Sequence, residues 1–442
     1  MVIEPETQAS DPDAPKRPSR RPQRRGGAAG RLAISSGLIV ALVVTVFIVS
    51  VFAPDTPAPS SFFVTPTPAP LAPRKASVGP VTPLGLALRE DAQTRYLNSL
   101  VSHMTLDEEL GQMIMMGFSE TQMDDSLAYQ IQQLHVGSAI LYAFNIKTTP
   151  QVKALVSGMQ ADATIPLLIA TDQEGGMVNR MASIEGLTPT AAMIGATGDP
   201  SKAFQRGQAD AAALAQVGIN LDLAPVVDVL QTSGGDIQTR AFGSTPGVVT
   251  TMAGAYLNGL QQSGQVAGTL KHFPGLGDVP VDPHATLYTL TRSRPDLERI
   301  DWAPYRALFA TGKVYAVMST HIIVAAVDPT APASLSQPVL TGILRDDLGF
   351  NGVVITDGIY MGSLAKYTLA QIAVDAIVAG NDIICSTYSI QSTEEIISVL
   401  RQAVASGKIS KARIDASVRR ILLLKIRLGL LPMPNFGAPL GG

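Results

Sequence analysis

The sequence predicts an α/β protein, a (β/α)8 TIM-like barrel preceded by an amino-terminal transmembrane helix and a Pro-rich stalk. Three observations carry this. From Leu86 onward, eight short apolar runs alternate with segments of helical periodicity, the pattern of parallel strands joined by crossover helices. No Gly-rich phosphate fingerprint follows the first run, which ranks an open doubly wound sheet lower. Acidic, basic and His residues recur at the ends of successive runs, and in a barrel the carboxyl ends of the strands carry the chemistry.

The chain begins with a basic tail, residues 1–31, holding Lys16, Arg17, Arg20, Arg21, Arg24, Arg25 and Arg31. An uncharged apolar run, 32–53, follows and is long enough to cross a bilayer, for which ~20 residues suffice. Positive charge before the run keeps the amino terminus in the cytoplasm and sends the rest outward. The expectation is a single-pass cell-membrane protein with an extracytoplasmic catalytic domain, its bilayer contact made by residues 32–53. A cleaved signal peptide is the competing reading; the long apolar core without a small-x-small site favours an uncleaved anchor. Residues 54–84, rich in Pro, Ala, Thr and Ser, read as an extended stalk. The barrel is expected over 85–433, with a short tail at 434–442. The net charge of −3 gives no support for nucleic-acid binding, and the lone Cys385 sits in an apolar run as a small hydrophobe.

Within the barrel the expected strands are 113–118, 137–142, 166–171, 220–224, 267–272, 314–320, 352–356 and 382–386. Expected helices fall near 126–134, 150–162, 202–217, 250–263, 297–311, 338–347, 369–379 and 393–405, with a last one at 411–428. Asp172 and Glu174 follow the third strand, and Asp222 and Asp228 belong to the fourth. Lys271-His272 end the fifth, His321 the sixth and Asp357 the seventh, and Asp382 opens the eighth. Three of the five histidines (His272, His284, His321) fall at or just past these ends; His103 and His135 are read as surface or helix-end residues.

The densest stretch is Lys271-His272-Phe273-Pro274-Gly275-Leu276-Gly277-Asp278, continued to Asp282-Pro283-His284. It leaves a buried strand and breaks into Gly and Pro, so the backbone runs on as an irregular loop. Within fourteen residues it carries one Lys, two His and two Asp, a concentration of titratable groups suited to a catalytic rim.

This stretch, with Asp282-x-His284, resembles the signature of glycoside hydrolase family 3, and more closely its β-N-acetylhexosaminidase branch. Asp172-Gln173-Glu174-Gly175-Gly176-Met177-Val178-Asn179-Arg180 is similar to the family's D-x-E-G-G-x-V-x-R segment. Asn220 to Val229 with Arg240-Ala241-Phe242-Gly243, Val317 to Ile322, and Leu348 to Gly358 resemble three further segments, in order. The resemblance covers about 105–430 and implies a retaining glycosidase acting on terminal β-linked N-acetylglucosamine, from peptidoglycan or its fragments, with no cofactor. No cluster has metal-ligand spacing.

Carried over residue by residue, the resemblance makes Asp357 the nucleophile, forming a covalent glycosyl-enzyme. His284 is the acid/base, able to give and take a proton near neutrality, and Asp282 orients it. Asp172, Arg180, Arg240, Lys271 and His272 hold the sugar; Asp228 and His321 match less specific positions. Larger family members draw the acid/base from a second domain, so here a barrel loop is expected to supply it. Three positions depart from the pattern. Leu276 stands where a His is usual, Pro283 where a Ser or Thr is usual, and Met177 replaces a frequent Arg. Pro283 fixes its own φ and restricts Asp282 to extended conformations. Three alternatives stay open: a β-glucosidase or β-xylosidase, a carbohydrate-binding relative without catalysis, and a phosphorolytic variant in which phosphate replaces water.

Overall fold

The computed structural model describes residues 83–232, 236–280 and 284–432, which lie in one compact unit, Ser77–Gly442. The apolar run 32–53, the stalk up to residue 82, Asp282, Pro283 and the tail 434–442 lie outside the described residues. Among the described residues no helix is long and apolar enough to cross a membrane.

Eight parallel strands form one nearly closed sheet. They are β1 (Ile114–Gly117), β2 (Ser138–Ile140), β3 (Leu168–Thr171), β4 (Leu221–Asp222), β5 (Ala267–Phe273), β6 (Ala316–Ser319), β7 (Val353–Thr356) and β8 (Ile384–Thr387). Each pairs with its sequence neighbour, β8 pairs with β1, and a single bridge between Ile355 and Ile383 joins β7 to β8. All eight fall on the expected runs. Strands enclosed on both faces read as continuous apolar sequence rather than as alternation, and in every one each residue is buried.

The helices follow the periodic segments, with caps that explain their starts. Thr148, Asp199, Thr245, Thr368, Ser389 and Ser410 each accept a backbone N–H of the first turn, satisfying a donor that has no intrahelical partner.

Four departures from expectation have local causes. Two helices, Pro83–Ser102 and Leu106–Gln112, precede β1, so helix begins inside the stretch read as stalk. The first of them lacks a clean apolar stripe, although it packs on Lys411–Arg427. The helix expected at 297–311 is broken. A widened turn, Leu297–Asp301, ends at Trp302, and a second helix runs Ala303–Phe309. Pro304 lacks the N–H that would bond back to Ile300, and its ring would crowd that carbonyl. A hairpin, Gln173–Gly175 with Val178–Asn179, follows β3. Finally, Asp382 opens the eighth strand and so stands at its amino end, away from the chemistry. There, fully buried, it takes ion pairs from Arg345, Arg413 and Arg420 and a hydrogen bond from Ser417. It pins β8 to the Lys411–Arg427 helix and is structural.

Candidate active site

A pocket of about 480 Å³ opens at the carboxyl ends of the strands, within the usual size of a small-ligand site. It gathers Asp172, Arg180, Arg240, Lys271, His272, His284 and Asp357, every predicted site residue among those described. Asp282 lies outside the described residues.

One half of the pocket is a charge array. Lys271, at the end of β5 and fully buried, sets its Nζ 2.6 Å from Asp172 Oδ1 and 2.5 Å from Glu174 Oε1. Arg240 grips Glu174 twice, Nε to Oε2 at 2.7 Å and one terminal nitrogen to Oε1 at 2.8 Å. That same nitrogen lies 3.0 Å from His272 Nε2. A guanidinium only donates, so Nε2 accepts and Nδ1 carries the proton, which it gives to Asp228 Oδ2 at 2.7 Å. Arg180 is more open, 3.9 Å from the second oxygen of Asp172.

Glu174 is the residue the sequence reading left without a role. It stands two positions after Asp172, across the hairpin that follows β3, and joins Lys271 to Arg240. The D-x-E spacing was visible, but its partners lie 66 and 97 positions away, Arg240 after a short helical turn and Lys271 on β5. Burial alone would raise the Glu174 pKa. Lys271, Arg240 and His272 outweigh it and hold the carboxyl far below the usual range. Lys271 is pushed down by burial but raised on balance by Asp172 and Glu174.

Glu174→Gln removes the anion shared by two buried cations and lowers stability by about 3 kcal/mol at neutral pH. Because the folded-state pKa is depressed, the contribution is present above the unfolded value near ~4.3 and is lost as pH falls toward the folded pKa. Urea melts at pH 7 and pH 3 are expected to show the wild-type advantage shrinking in acid. A constant difference would contradict the assignment.

Asp357 stands directly after β7 with its backbone N–H on Ser319 O at 2.8 Å, and its Oδ1 accepts from Gly358 N at 2.8 Å. Burial pushes its pKa up, but His272, His321, the Gly358 amide and His284 more than compensate and hold it below the usual carboxylate value. It is therefore anionic near neutrality, as a nucleophile must be. His321 braces it from behind. Its Nε2–H donates to Gly358 O at 3.1 Å, and its Nδ1 accepts from Ser334 Oγ at 2.6 Å. Burial lowers the His321 pKa, against the opposing pull of Asp357, so it serves as a buried holder of the Asp357–Gly358 turn.

His284 is exposed and lines the same pocket. The carbonyl of His284 accepts from Gly362 N at 2.7 Å. A Cβ on Gly362 would lie 2.6 Å from Ala285 O and 3.0 Å from His284 O. Glycine there lets the loop that begins at His284 pack directly on the turn after Asp357. At the near end of the loop, Asp228 accepts from Leu276 N at 2.7 Å, and Arg292 bridges Asp278 and Asp301 at 2.9 and 3.2 Å.

The departure at Leu276 does not open a gap. Its side chain is buried in the apolar core while its amide holds Asp228. Met177 is largely exposed and stays outside the pocket lining. Asp222 also stays outside. It is fully buried, accepting from Gln173 N at 2.9 Å and Tyr256 OH at 3.1 Å, and serves to hold β3 to β4. Among the described residues no group of His, Cys, Asp and Glu is placed to hold a metal ion.

The arrangement has the parts of a glycosidase: an ionised carboxylate, a His on an adjoining loop, and fixed donors and acceptors for hydroxyl groups. Comparison with known proteins agrees. The family model described as Glycosyl hydrolase family 3 N terminal domain matches residues 105–424. The chain is 29% identical over 370 residues to beta-hexosaminidase A of Pseudoalteromonas piscicida, covering 74% of this chain and 62% of that protein. It is 31% identical over 321 residues to the beta-hexosaminidase of Nitrosomonas eutropha, covering 70% and 91%. Among solved structures, a glycoside hydrolase family 3 beta-N-acetylglucosaminidase from Paenibacillus sp. superposes with a TM-score of 0.71 at 36% identity, covering 76% of this chain and 64% of that one.

Proposed function

The chain belongs to glycosyl hydrolase family 3, and from that premise we propose that it is a retaining β-N-acetylhexosaminidase releasing terminal, non-reducing β-linked N-acetylglucosamine. The observation that carries this reading is the meeting, in one pocket, of the anionic Asp357, His284 and the Asp172–Lys271–Glu174–Arg240 array. The array fixes the sugar through its hydroxyls, Asp172 and Glu174 accepting and Lys271, Arg180 and Arg240 donating. Asp357 attacks the anomeric carbon as His284 protonates the leaving oxygen, which yields a glycosyl ester. His284 then takes a proton from water as that water displaces Asp357, and configuration is retained.

The test is turnover by the purified chain of an aryl β-N-acetylglucosaminide beside aryl β-glucoside and β-xyloside. Preference for the first is expected; equal or greater turnover of the glucoside moves the assignment to a β-glucosidase. Binding without turnover of any supports the non-catalytic reading. Added phosphate that diverts product to a sugar 1-phosphate supports phosphorolysis.

Peptidoglycan or its fragments are the proposed natural source, supported by the outward topology read from the sequence. We also propose that residues 32–53 anchor the protein in the cell membrane with the barrel outside the cytoplasm, on the strength of the basic tail and the uncharged run. Deleting residues 1–53 is then expected to move the protein from the membrane to the soluble fraction. A full-length chain already in the soluble fraction would contradict the anchor.

A further inference from the structure

The amino ends of the barrel strands, opposite the pocket described above, carry two adjoining cavities. One, of about 260 Å³, lies between the segments that lead into β6 and β7 and the Lys411–Arg427 helix. The other, of about 330 Å³, lies between the end of the Pro246–Leu260 helix and the segment that leads into β6. Tyr315, one residue before β6, lines both. Barrel chemistry occupies the carboxyl ends of the strands, so a ligand at this face is held without being turned over.

The charges here have one sign. Arg420, Arg427 and Lys313 line the two cavities, and among the described residues no Asp or Glu does. Arg420 and Arg427 stand two helical turns apart on one face. Arg420 is paired with Asp382 at 3.0 Å. Arg427 instead sets its guanidinium 4.7 Å from the centre of the Tyr315 ring, a cation–π contact. Desolvation lowers the Arg427 pKa, and it is the Tyr315 phenol, not a carboxylate, that opposes this. Lys313 donates to Asn258 Oδ1 at 2.9 Å and, among the described residues, also forms no ion pair. Beside these cations stands an apolar wall, the Phe309 and Phe350 rings stacked at 4.7 Å and 23°. Asn351 and Gln262 place amides at the rims. Rings for a C–H face, amides for hydroxyls and two uncompensated cations for acid groups fit a saccharide that carries carboxylates. A bilayer surface fits less well, because polybasic recognition of anionic lipid uses clusters of ~4–8 Lys and Arg.

We propose that this groove is a second, non-catalytic glycan site, which holds a strand whose own sugars bear carboxylates, the acid groups meeting Arg427 and Lys313 and a ring resting by Tyr315. This rests on the cell-wall reading above. A glycan of alternating N-acetylglucosamine and muramic acid exposes such a carboxylate on its lactyl group once the attached peptide has been removed. Bound at one face of the barrel, the strand keeps its free ends at high local concentration near the pocket on the other.

The test measures binding of the full chain, carrying Asp357→Asn so that strands survive, to immobilised peptide-free strands of N-acetylglucosamine and muramic acid. The same strands with amidated carboxyls, peptide-bearing strands, chitin oligosaccharides and vesicles of phosphatidylglycerol and phosphatidylcholine run beside them. Adding Arg427→Gln and Lys313→Gln is expected to weaken binding to the peptide-free strands by about tenfold. Amidated strands should bind the unsubstituted groove as weakly, and chitin should not distinguish the variants. With Asp357 restored, the two substitutions should leave turnover of an aryl β-N-acetylglucosaminide unchanged, which shows that the barrel is intact. Equal binding with and without the two cations, or equal binding to free and amidated strands, overturns the proposal. Retention of peptide-bearing strands alone, or Arg427-dependent retention of vesicles without retention of strands, also overturns it, because the groove would then serve a peptide or a bilayer. Cation-dependent strand binding with no turnover of any aryl glycoside leaves this site standing and counts against the proposed reaction. Turnover of the aryl substrate with no strand binding does the reverse.

Discussion

Asp357→Ala is expected to lower kcat/KM for an aryl β-N-acetylglucosaminide by about 10⁵-fold, roughly 7 kcal/mol of transition-state stabilisation. No other group can take its place. Asp172 and Glu174 are held by Lys271 and Arg240, and Asp228 is occupied by His272 and the Leu276 amide. The substitution also leaves room where the carboxylate stood. Azide is expected to enter it and restore part of the activity, attacking from the former nucleophile's face and giving the α-glycosyl azide. The check is kinetics with and without azide and an NMR assignment of the product. Residual activity within a hundredfold of wild type, or a β-azide, would place the nucleophile elsewhere.

His284→Ala is expected to show a loss that depends on the leaving group. A nitrophenolate departs without a proton, so the first step survives and the second, deprived of its base, becomes limiting. A sugar leaving group needs the proton, and there the loss is expected to reach about 10³-fold. With the nitrophenyl substrate KM should fall together with kcat as glycosyl-enzyme accumulates, and azide should restore turnover because it needs no base. The same loss for good and poor leaving groups would make His284 a loop residue rather than the acid/base. The direct bond from Gly362 N to the His284 carbonyl gives a second handle. Gly362→Ala places a methyl against the loop that begins at His284 and should reproduce part of the leaving-group dependence without touching the imidazole.

Most of the fold was legible because strands enclosed on both faces leave unbroken apolar runs. Ile114–Gly117, Leu168–Thr171 and Val353–Thr356 need no tertiary information to be found. Three kinds of feature were not legible. Pro83–Ser102 gains its place by packing on a helix more than 300 residues later, which local periodicity does not record. Asp382 was grouped with the rim although it opens its strand. The end of a strand on which a charge falls decides its face of the barrel, and a run read one or two residues long blurs that end. Glu174 and the tyrosines of the pocket meet their neighbours only in the folded chain. Tyr142, Tyr360 and Tyr388 are ordinary loop residues in the sequence and become a surface only when β2, β7 and β8 bring them together. Asp357, His284, Lys271 and Arg240, by contrast, stood in segments whose order and spacing already marked them, and the pocket brings them together.

The reaction is expected to pass through a covalent ester on Asp357. The most direct test is to react the protein with a fluorinated N-acetylglucosaminyl substrate whose first step is fast and second slow, quench it, digest it and map the modified peptide by mass spectrometry. One N-acetylhexosaminyl group on Asp357, removed when turnover is allowed to finish, is the predicted result. Turnover with no adduct, or an adduct on Asp172 or Glu174, would contradict it.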